Sequence, residues 1–476
     1  MPTTTMPTPI AIHWFRQDLR LADNPSLQYA AQQGSVLPIY ILDEINAAEQ
    51  ATTGAARCWL HHSLQALNDS LGGKLQLYRG DAKRIIAQLC QQHAVTSINW
   101  NRCYEPWRIG RDKAIKAELQ QAGIDCHSHN GSLLWEPWQT LKADGSAYKV
   151  FTPYYKNARL NGPTIRQPLA APKNLKLATG DFGAQSITEL ALLPKQNWHS
   201  PLLAHWAVGE AGAQKALHRF IERGLNGYKE GRDFPAQEHV SRLSPHLHWG
   251  EISPQQAWHY SQLAGDNVDV AHFHNELAWR DFSHGMLYHY PDLPHRNWQS
   301  KFDRFAWQHN DELLKAWQQG RTGYPIIDAG MRELWQTGYM HNRVRMLVGS
   351  FLVKNLLIDW RHGERWFWQT LVDADLANNS ASWQWVAGCG ADAAPYFRIF
   401  NPVIQGERFD RDGSYTRRYV PELAALPNKY LFKPWLASPE ILQKAGVVLG
   451  ESYPQPIIDL KLSRELALDS LKALSP

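Results

Sequence analysis

The chain has 476 residues, of which 44% are apolar and 20% are charged, which is typical of a globular protein with two or three domains. The formal net charge of +4 permits a polyanionic partner without requiring one, because a local patch matters more than the total. The five cysteines form no C-x-x-C pair and no apolar run could cross a bilayer, which argues against a metal site, a disulfide framework and a membrane span.

Residues 8–135 alternate between short apolar runs and helical stretches. The runs are PIAIHWF, SVLPIYIL, GKLQLYRG and VTSINWNR, and helical patterns lie between them at 54–73 and 81–93. Asn24 before Pro25 is a typical helix start, because asparagine can cap a helix and proline suits its first turn. Strands that alternate with helices predict βαβ units, and hence a Rossmann-like parallel sheet.

The pattern changes twice after this α/β region. Residues 136–205 are rich in Pro, Gly and Ser, and we interpret them as an interdomain connection. Residues 206–476 lose the strand signal and predict a large helical domain. Its predicted helices are 208–223, 253–264, 269–290, 310–319, 325–337, 340–358 and 363–371. The predicted fold class is therefore α/β plus all-α.

Tryptophan is the unusual residue in the composition. The chain has 21, and ten of them lie between Trp279 and Trp385. Trp383 and Trp385 follow the small polar stretch Asn378–Ser380, which we interpret as a loop. Packing accounts for most tryptophans, including Trp366, but a regional cluster beside a polar loop also suits a binding site.

Two predicted helices carry matching stripes of side chains. Glu276, Trp279 and Arg280 stand at i, i+3 and i+4, so they share a helix face. The second stripe has the same spacing: Asn342, Arg345 and Met346. Either stripe alone is more typical of a surface ion-pair face beside core residues. Together they indicate a cavity with a hydrogen-bonding acid and amide, an aromatic wall and a thioether floor.

Other polar patterns bear on ligands. Ser241 and Ser244 lead into a helix and could bind phosphate, although plain capping is the commoner use of such residues. Asp373 and Asp375 lack a third ligand at metal-binding spacing, so we interpret Asp373 as the partner of a buried arginine. Residues 398–410 mix basic and amide side chains with aromatics, which suits a nucleic-acid backbone or, equally, a solvated charged face.

Long, ordered blocks of the sequence resemble the photolyase/cryptochrome family. They include HWFRQDLRLADNPSL, SRLSPHLHWGEISP, NELAWRDF, TGYPIIDAGMRELWQTGYMHNRVRM, FLVKNLLIDWRHGE and DAAPYFRIFNPVIQGERFD. The resemblance implies an N-terminal α/β domain followed by a large helical domain that holds FAD. It also implies blue-light repair of pyrimidine dimers in DNA, in which the excited reduced flavin donates one electron to a flipped-out dimer. A damaged base pair stacks poorly, so flipping it costs less than flipping an intact one.

Within the family, the chain resembles class I cyclobutane pyrimidine dimer photolyases most. Asn342 and Met346 match their pattern, whereas (6-4) photolyases carry histidines at both places. The chain also ends soon after YPQPIIDLKLSRELAL, without the long tail of signalling cryptochromes. The resemblance implies these catalytic residues: Glu276, Trp279, Asn342, Met346 and Trp385. Within the family, the alternatives are a cryptochrome-type photoreceptor and a (6-4) photolyase. Outside the family, the alternatives are a nucleotide-dependent ligase or transferase and a tryptophan-rich binding module.

The resemblance implies three further sets of residues. The electron-transfer set is Trp307, Trp360 and Trp383. The flavin-binding set is Tyr228, Ser241, Arg242, Leu243, Ser244, Phe273, Arg280, Arg345, Asp373, Ala374, Asp375 and Asn379. In that set Arg345 pairs with Asp373, and Asn379 hydrogen-bonds flavin N5. The DNA-binding set is Arg232, Arg343, Arg398 and Gln405.

Two departures from the family pattern concern cofactors. Val240 stands where some relatives have a threonine beside the FAD phosphates. Trp107 and Arg108 stand where folate-binding relatives carry Asn and Glu, which argues against a folate. The second, antenna chromophore therefore stays open between methenyltetrahydrofolate, 8-hydroxy-5-deazaflavin, flavin mononucleotide and none.

The expected partner is UV-damaged DNA that contains pyrimidine dimers. We expect no metal, no membrane and no obligate protein partner, and hence a monomer. The N-terminus has no basic region followed by an apolar stretch, as a signal peptide would. We expect a cytoplasmic protein, associated with the nucleoid if the source is bacterial.

Overall fold

The computed structural model describes residues 9–392 and 397–474. Residues 393–396, part of the block DAAPYFRIFNPVIQGERFD, lie outside the described residues. The chain divides into two compact units by its internal contacts. Unit 1 comprises the chain up to Ser200, Trp206–Glu222 and Ser241–Pro291, and unit 2 comprises Pro201–His205, Arg223–Val240 and the chain from Asp292 onward. The predicted domain boundaries at 135 and 205 stay a prediction.

Unit 1 contains a five-stranded parallel sheet. Its strands are β1 (Ile10–Phe15), β2 (Ser35–Leu42), β3 (Gln76–Arg79), β4 (Val95–Asn101) and β5 (Asp125–His129). They lie in the order β3-β2-β1-β4-β5, and every neighbouring pair is parallel. The predicted Rossmann-like sheet is thus confirmed. The strand order reverses between β1 and β4, and such a switch point opens a crevice at the carboxyl ends of the strands.

Burial explains which strands the sequence revealed. β1, β2 and β4 are buried over nearly their whole length, as the strands of a covered parallel sheet are, and all were predicted from short runs rich in apolar residues. β5 was missed because its sequence, DCHSH, is polar. As the edge strand beside β4 it has only one buried residue, Cys126, so it carries little apolar signal.

Twelve α-helices occur among the described residues up to 291. They are α1 (Pro25–Gln33), α2 (Glu44–Ala47), α3 (Gly54–Ser70), α4 (Ala82–Gln92), α5 (Pro106–Gln121), α6 (Phe151–Asn161), α7 (His199–Leu203), α8 (Glu210–Arg219), α9 (Tyr228–Gly231), α10 (Ser244–His248), α11 (Pro254–Gln262) and α12 (Val268–His289). Of these, α7 crosses from unit 1 into unit 2 and α9 belongs to unit 2. The predicted start of α1 is confirmed, since Asn24 Oδ1 accepts from Leu27 N at 3.0 Å.

Residues 136–200, most of the predicted connection, belong to unit 1. They contain α6, and single bridges join Leu177 to Val36 of β2 and Gln185 to Leu77 of β3. The sequence did not predict these contacts, because this Pro- and Gly-rich segment has no regular spacing of apolar residues.

The described helices after residue 291 belong to unit 2. They are α13 (Asp311–Gln318), α14 (Pro325–Thr337), α15 (Asn342–Ser350), α16 (Trp360–Thr370), α17 (Leu376–Ala387), α18 (Pro402–Phe409), α19 (Ser414–Tyr419), α20 (Asn428–Leu431), α21 (Pro439–Lys444) and α22 (Leu460–Lys472). Short 3₁₀ helices occur at Ala48–Gln50, Pro137–Gln139, Ser300–Arg304, Pro421–Leu423 and Pro434–Leu436, and π-turns at Phe220–Gly224 and Phe351–Asn355. The predicted helical domain is confirmed, and the segment predicted at 340–358 is α15 followed by a π-turn.

The prediction of a loop at Asn378–Ser380 is wrong, because these residues lie inside α17. Asp375 starts that helix, and its Oδ1 accepts from Asn378 N at 2.8 Å. The cap supplies the start signal that the small polar residues obscure. Across residues 9–392 and 397–474, none of the helices combines the length and apolar character that crossing a membrane requires.

Candidate active site

A partly buried ion pair in unit 2 joins α15 to the segment before α17. Arg345 donates from Nη2 to Asp373 Oδ2 at 2.9 Å and from Nε to the Met340 carbonyl at 2.8 Å. The Asp373 side chain is only 3% exposed. Its other oxygen, Oδ1, is buried without a hydrogen-bond partner among the described residues. A buried unsatisfied acceptor is costly, so this oxygen fits a donor on a bound group.

The two aspartates of this segment do different work. Asp373 pairs with Arg345, whereas Asp375 caps α17. Within the described ranges, His, Cys, Asp and Glu side chains form no group of three that could hold a metal ion. The arrangement fits an organic group with a donor edge better than it fits a cation.

The first turn of α17 is tied to α16. Asn379 donates from Nδ2 to the Glu364 carbonyl at 2.9 Å, and Ser380 Oγ donates to Glu364 Oε1. Burial raises the pKa of the Glu364 carboxyl to about 7. The sequence did not predict a role for Glu364, because its partners Asn379 and Ser380 lie in a helix that had been interpreted as a loop. Ala374, just before the helix, is buried.

The stripe Asn342, Arg345 and Met346 lies at the start of α15, as the spacing predicts. Asn342 is exposed and Met346 is partly buried. His341 caps the helix with its side chain, and burial lowers the pKa of its imidazole to about 3, so it is neutral near pH 7. Trp385 lies on α17 and is partly buried.

The stripe Glu276, Trp279 and Arg280 lies on α12 in unit 1, and all three side chains are partly buried. Trp279 stacks on Phe151, with ring centroids 3.8 Å apart and an interplanar angle of 9°. Arg280 donates to the Ser132 carbonyl at 2.6 Å. The sequence did not reveal Phe151, because it lies in the predicted connection.

Residues 241–244 of unit 1 form a turn that suits an anion. Arg242 has a left-handed φ of 52°, and Leu243 follows with right-handed values. Alternating hands turn successive backbone N–H groups to one side, which makes a concave anion site. Leu243 N also donates to Ser241 Oγ at 3.3 Å, and Ser244 begins α10. Two other predicted residues are buried: Phe273 packs against Phe220, and Tyr228 of unit 2 begins α9.

The three tryptophans of the predicted electron-transfer set differ in burial. Trp360 is fully buried, Trp383 is 3% exposed and Trp307 is partly exposed. A Cβ at Gly363, one turn after Trp360, would overlap the indole of Trp383, so α16 touches that ring directly. Gln308 N donates to the Leu357 carbonyl at 2.7 Å, which fastens the chain after Trp307 to the residues before α16.

One tryptophan interpreted as packing is not a core residue. Trp366 is partly exposed and lies parallel to Trp335, with ring centroids 6.1 Å apart. Trp335 is 65% exposed. The contact that Trp366 makes with Trp335 is therefore packing at the surface, not in the core.

The four predicted DNA-binding residues lie near α15 and α18 of unit 2. Arg343 pairs with Asp233 at 2.5 Å and lies 4.5 Å from the ring centroid of Phe409. Gln405 stands one turn before Phe409 on α18. Arg232 precedes Asp233 in the chain, and Arg398 is exposed just before α18. The basic side chains thus gather around two neighbouring helices.

A cavity in unit 1 lies at the carboxyl ends of β1 and β2. Its lining includes Trp14, Arg16, Trp107, Arg108 and Arg111. The Arg111 guanidinium lies 4.6 Å from the ring centroid of Trp14 and 4.9 Å from that of Trp107. Trp14 Nε1 and Arg16 Nε are buried donors without partners among the described residues. Flat rings and spare donors suit a planar ligand that carries acceptors.

Comparison with known proteins identifies the family. Residues 11–173 match the family described as DNA photolyase, and residues 273–473 match the FAD binding domain of DNA photolyase. Deoxyribodipyrimidine photo-lyase of Agrobacterium fabrum is 46% identical over 99% of this chain and 99% of its own length. The chain belongs to the DNA photolyase family. Cryptochrome-2 of Arabidopsis thaliana is also related, at 36% identity over 96% of this chain and 77% of its own length.

A solved DNA photolyase has the same fold. The crystal structure of a bacterial class III photolyase from Agrobacterium tumefaciens superposes with a TM-score of 0.94 at 46% identity, covering 99% of both chains. The predicted photolyase/cryptochrome membership is confirmed. The FAD-binding match contains Arg345, Asp373 and Asn379, whereas Tyr228 and the turn 241–244 lie between the two matched ranges.

Proposed function

We propose that this protein repairs cyclobutane pyrimidine dimers in DNA under blue light. FAD, when bound in its reduced form, supplies the electron that light transfers to the dimer. The observation that carries the proposal is the Arg345–Asp373 pair with its spare Asp373 Oδ1, inside the range that matches a photolyase FAD-binding domain. The full-length similarity to a deoxyribodipyrimidine photo-lyase supports it.

The flavin-binding residues of unit 2 would hold the isoalloxazine edge. Asp373 Oδ1 would accept a hydrogen bond, and the bond from Arg345 to Oδ2 orients that carboxylate. Asn379 is fixed at its nitrogen by the Glu364 carbonyl, so its oxygen is free to face the flavin at N5. The other members proposed from unit 2 are Tyr228, Ala374 and Asp375.

In unit 1, the turn 241–244 would bind the FAD phosphates through its backbone N–H groups. Val240 adds no hydroxyl there, so the turn itself supplies most of the polar contact. The further flavin contacts proposed from unit 1 are Phe273 and Arg280.

Five side chains would contact the dimer. Trp385 and Trp279 offer flat apolar walls, and Phe151 supports Trp279 from one face. Glu276 would donate a hydrogen bond to a pyrimidine carbonyl and stabilise the charge that develops there. On α15, Asn342 would hydrogen-bond the dimer or the flavin edge, and Met346 would pack beneath the dimer.

Three tryptophans would return the flavin to its reduced state. Trp383 would donate first, Trp360 would refill Trp383, and Trp307 would exchange with the surface. The partial exposure of Trp307 supports its place at the surface end, because solvent reductants can reach it. Indole suits the task because it is readily oxidised.

The DNA strand would bind along α15 and α18. Arg343, Arg232 and Arg398 would contact phosphates, and Gln405 would add a polar contact. These contacts position the strand and carry no sequence information, which suits a protein that reads a lesion.

We propose that the cavity at the carboxyl ends of β1 and β2 holds the antenna chromophore. The rings of Trp107 and Trp14, both close to the Arg111 guanidinium, favour a planar ligand, and the strand-order switch point is where such folds bind ligands. Both methenyltetrahydrofolate and 8-hydroxy-5-deazaflavin are planar. Acid release of the chromophore followed by absorption and mass spectra distinguishes them, and a Trp107→Ala variant should lose whichever is present.

Repair is tested with reduced protein and an oligonucleotide that contains one thymine cyclobutane dimer. Dimers should disappear under blue light and persist in the dark. A Glu276→Gln variant should retain FAD and repair fewer dimers per absorbed photon. If light and dark samples keep the same dimer content, the protein is not a dimer photolyase.

The same assay decides between the related functions. The 36% identity to a cryptochrome makes a photoreceptor the second candidate, and it would bind FAD without repairing either lesion. A (6-4) photolyase would repair only the (6-4) photoproduct. Either class I or class III membership is compatible with dimer repair, and the similarity to a class III structure favours class III. We further propose a monomer that works alone in the cytoplasm, on the nucleoid in a bacterium, which sedimentation with and without DNA tests.

A further inference from the structure

The far end of the α15 helix fastens the chain before α18. Ser350 ends α15, and its Oγ accepts from the backbone N of Phe400 at 3.3 Å. Lys354 lies one turn later in the π-turn Phe351–Asn355, and its Nζ donates to the Arg398 carbonyl. Nζ also lies 4.5 Å from the ring centroid of Phe397. Ser350 at the end of α15 and Lys354 in the π-turn after it therefore hold the backbone on both sides of residue 399.

Lysine is a costly residue at this position. Lys354 is 3% exposed, and its contacts among the described residues are a backbone carbonyl and an aromatic ring rather than a carboxylate. Burial, and then the nearby charge of Arg398, lower the pKa of its amine to about 7. An apolar side chain would fill the same space without that cost. Only the amine provides the bond to the Arg398 carbonyl.

The fastened segment leads directly into a predicted DNA-binding region. Arg398 is exposed, Asn401 caps α18, and Gln405 lies in the first turns of that helix. The first turn of α15 carries Arg343, seven residues before Ser350. At 1.5 Å per residue, about 10 Å of α-helix separates these two positions.

We propose that Lys354 is a positioning residue for DNA binding, which fixes Arg398 at a set distance from Arg343 along the strand. This inference rests on the proposed function, because the DNA contact of Arg398 belongs to that proposal. Lys354 touches no DNA itself. Its bond to the Arg398 backbone leaves the guanidinium of that arginine exposed for a phosphate.

The test compares the affinities of three variants for a duplex with one thymine dimer, over a series of salt concentrations. Removing a phosphate contact lowers the slope of log affinity against log salt by about 0.9. Arg398→Ala should show that loss. Lys354→Met should lower the affinity about fivefold, as expected for one lost hydrogen bond, while keeping the parent slope. Lys444→Met, which removes an exposed lysine of the same unit, should change neither quantity.

A second measurement needs neither DNA nor flavin chemistry. Trypsin cleaves after arginine, and the exposed Arg398 should be cut slowly while Lys354 holds its carbonyl. The Lys354→Met protein should be cut there faster, and the Lys444→Met protein at the parent rate. Where Lys354→Met does not fold, Ser350→Ala tests the same attachment by removing the acceptor for Phe400 N.

Each outcome has one meaning. If Lys354→Met lowers the affinity of the Arg398→Ala protein as much as it lowers that of the parent, Lys354 acts independently of Arg398 and the positioning role is wrong. Unchanged affinity and unchanged cleavage in Lys354→Met also overturn it. If Arg398→Ala binds like the parent, the proposed DNA contact fails, whereas the cleavage rate still reports whether Lys354 fastens the segment.

Discussion

Replacing Glu364 with glutamine should stabilise the protein above pH 7. The Glu364 carboxyl lies between α16 and α17 and accepts from Ser380 Oγ. Burial raises its pKa from an ordinary 4.5 to about 7. Glutamine has nearly the same shape and keeps an acceptor for Ser380, but it never ionises. The substitution therefore removes the cost of a buried charge and little else.

The sign and the size follow from the two pKa values. A carboxyl with a higher pKa in the folded state binds its proton more tightly there, so its contribution favours folding at low pH. That contribution is lost as the pH rises from 4.5 to about 7. The difference corresponds to about 3 kcal/mol. Because the Glu364 side chain is partly exposed, screening by solvent reduces the expected gain to about 2 kcal/mol.

The assay is urea unfolding at pH 5 and pH 8, followed by far-UV circular dichroism with free FAD at one fixed excess. The Glu364→Gln protein should be more stable than the parent by about 2 kcal/mol at pH 8, with a much smaller difference at pH 5. Glu440→Gln, at an exposed glutamate of the same unit, should show no such change with pH. An equal difference at both pH values, or none at pH 8, would refute the burial argument.

Three further predictions concern the pair, the tryptophans and the sheet. Asp373→Asn leaves Arg345 without its counter-charge, and should cost about 2 kcal/mol and release FAD, measured by unfolding and by flavin retained on gel filtration. Trp383→Phe should cost about 1 kcal/mol and block photoreduction, yet spare repair by chemically reduced protein; photoreduction at the parent rate would return Trp383 to a packing role. Although burial opposes it, hydrogen bonds from His13, from the backbone N–H at position 16 and from Asn101 lower the pKa of Asp18 to about 2. Its contribution of about 2 kcal/mol is present above pH 4 and lost as the pH falls towards 2, so Asp18→Asn and parent should converge in stability at acid pH and differ at pH 6.

Regular elements were predictable where their period was clean. β1 to β4 carry short runs rich in apolar residues, and α12 and α15 carry residues at i, i+3 and i+4, so local spacing was enough. A buried arginine as the partner of Asp373 was also predictable, because an unpaired buried guanidinium is costly, whereas the identity of that partner, Arg345, came from the family resemblance. In contrast, β5 owes its place to pairing with β4, and a polar edge strand leaves no periodic signal.

The residues that support the site were harder to predict than the residues that form it. Phe151 reaches Trp279 from 128 positions away, and nothing in its local sequence indicates the stack. The helix α17 was missed because small polar residues favour loops when read alone. Its cap at Asp375 and its bonds to Glu364 override that preference through contacts that no local window contains.

Glu364 and Lys354 share a physical signature that points to use rather than packing. Burial raises the pKa of the Glu364 carboxyl and lowers that of the Lys354 amine, each to about 7. The charged form of either side chain therefore destabilises the folded protein. Apolar residues would be favoured at both positions if stability alone decided. Glu364 adjoins Asn379, and Lys354 holds the backbone of Arg398. Both destabilising ionisable groups lie beside predicted flavin or DNA contacts. Functional sites often retain such groups, because the orientation of neighbouring side chains matters more there than the stability that is lost.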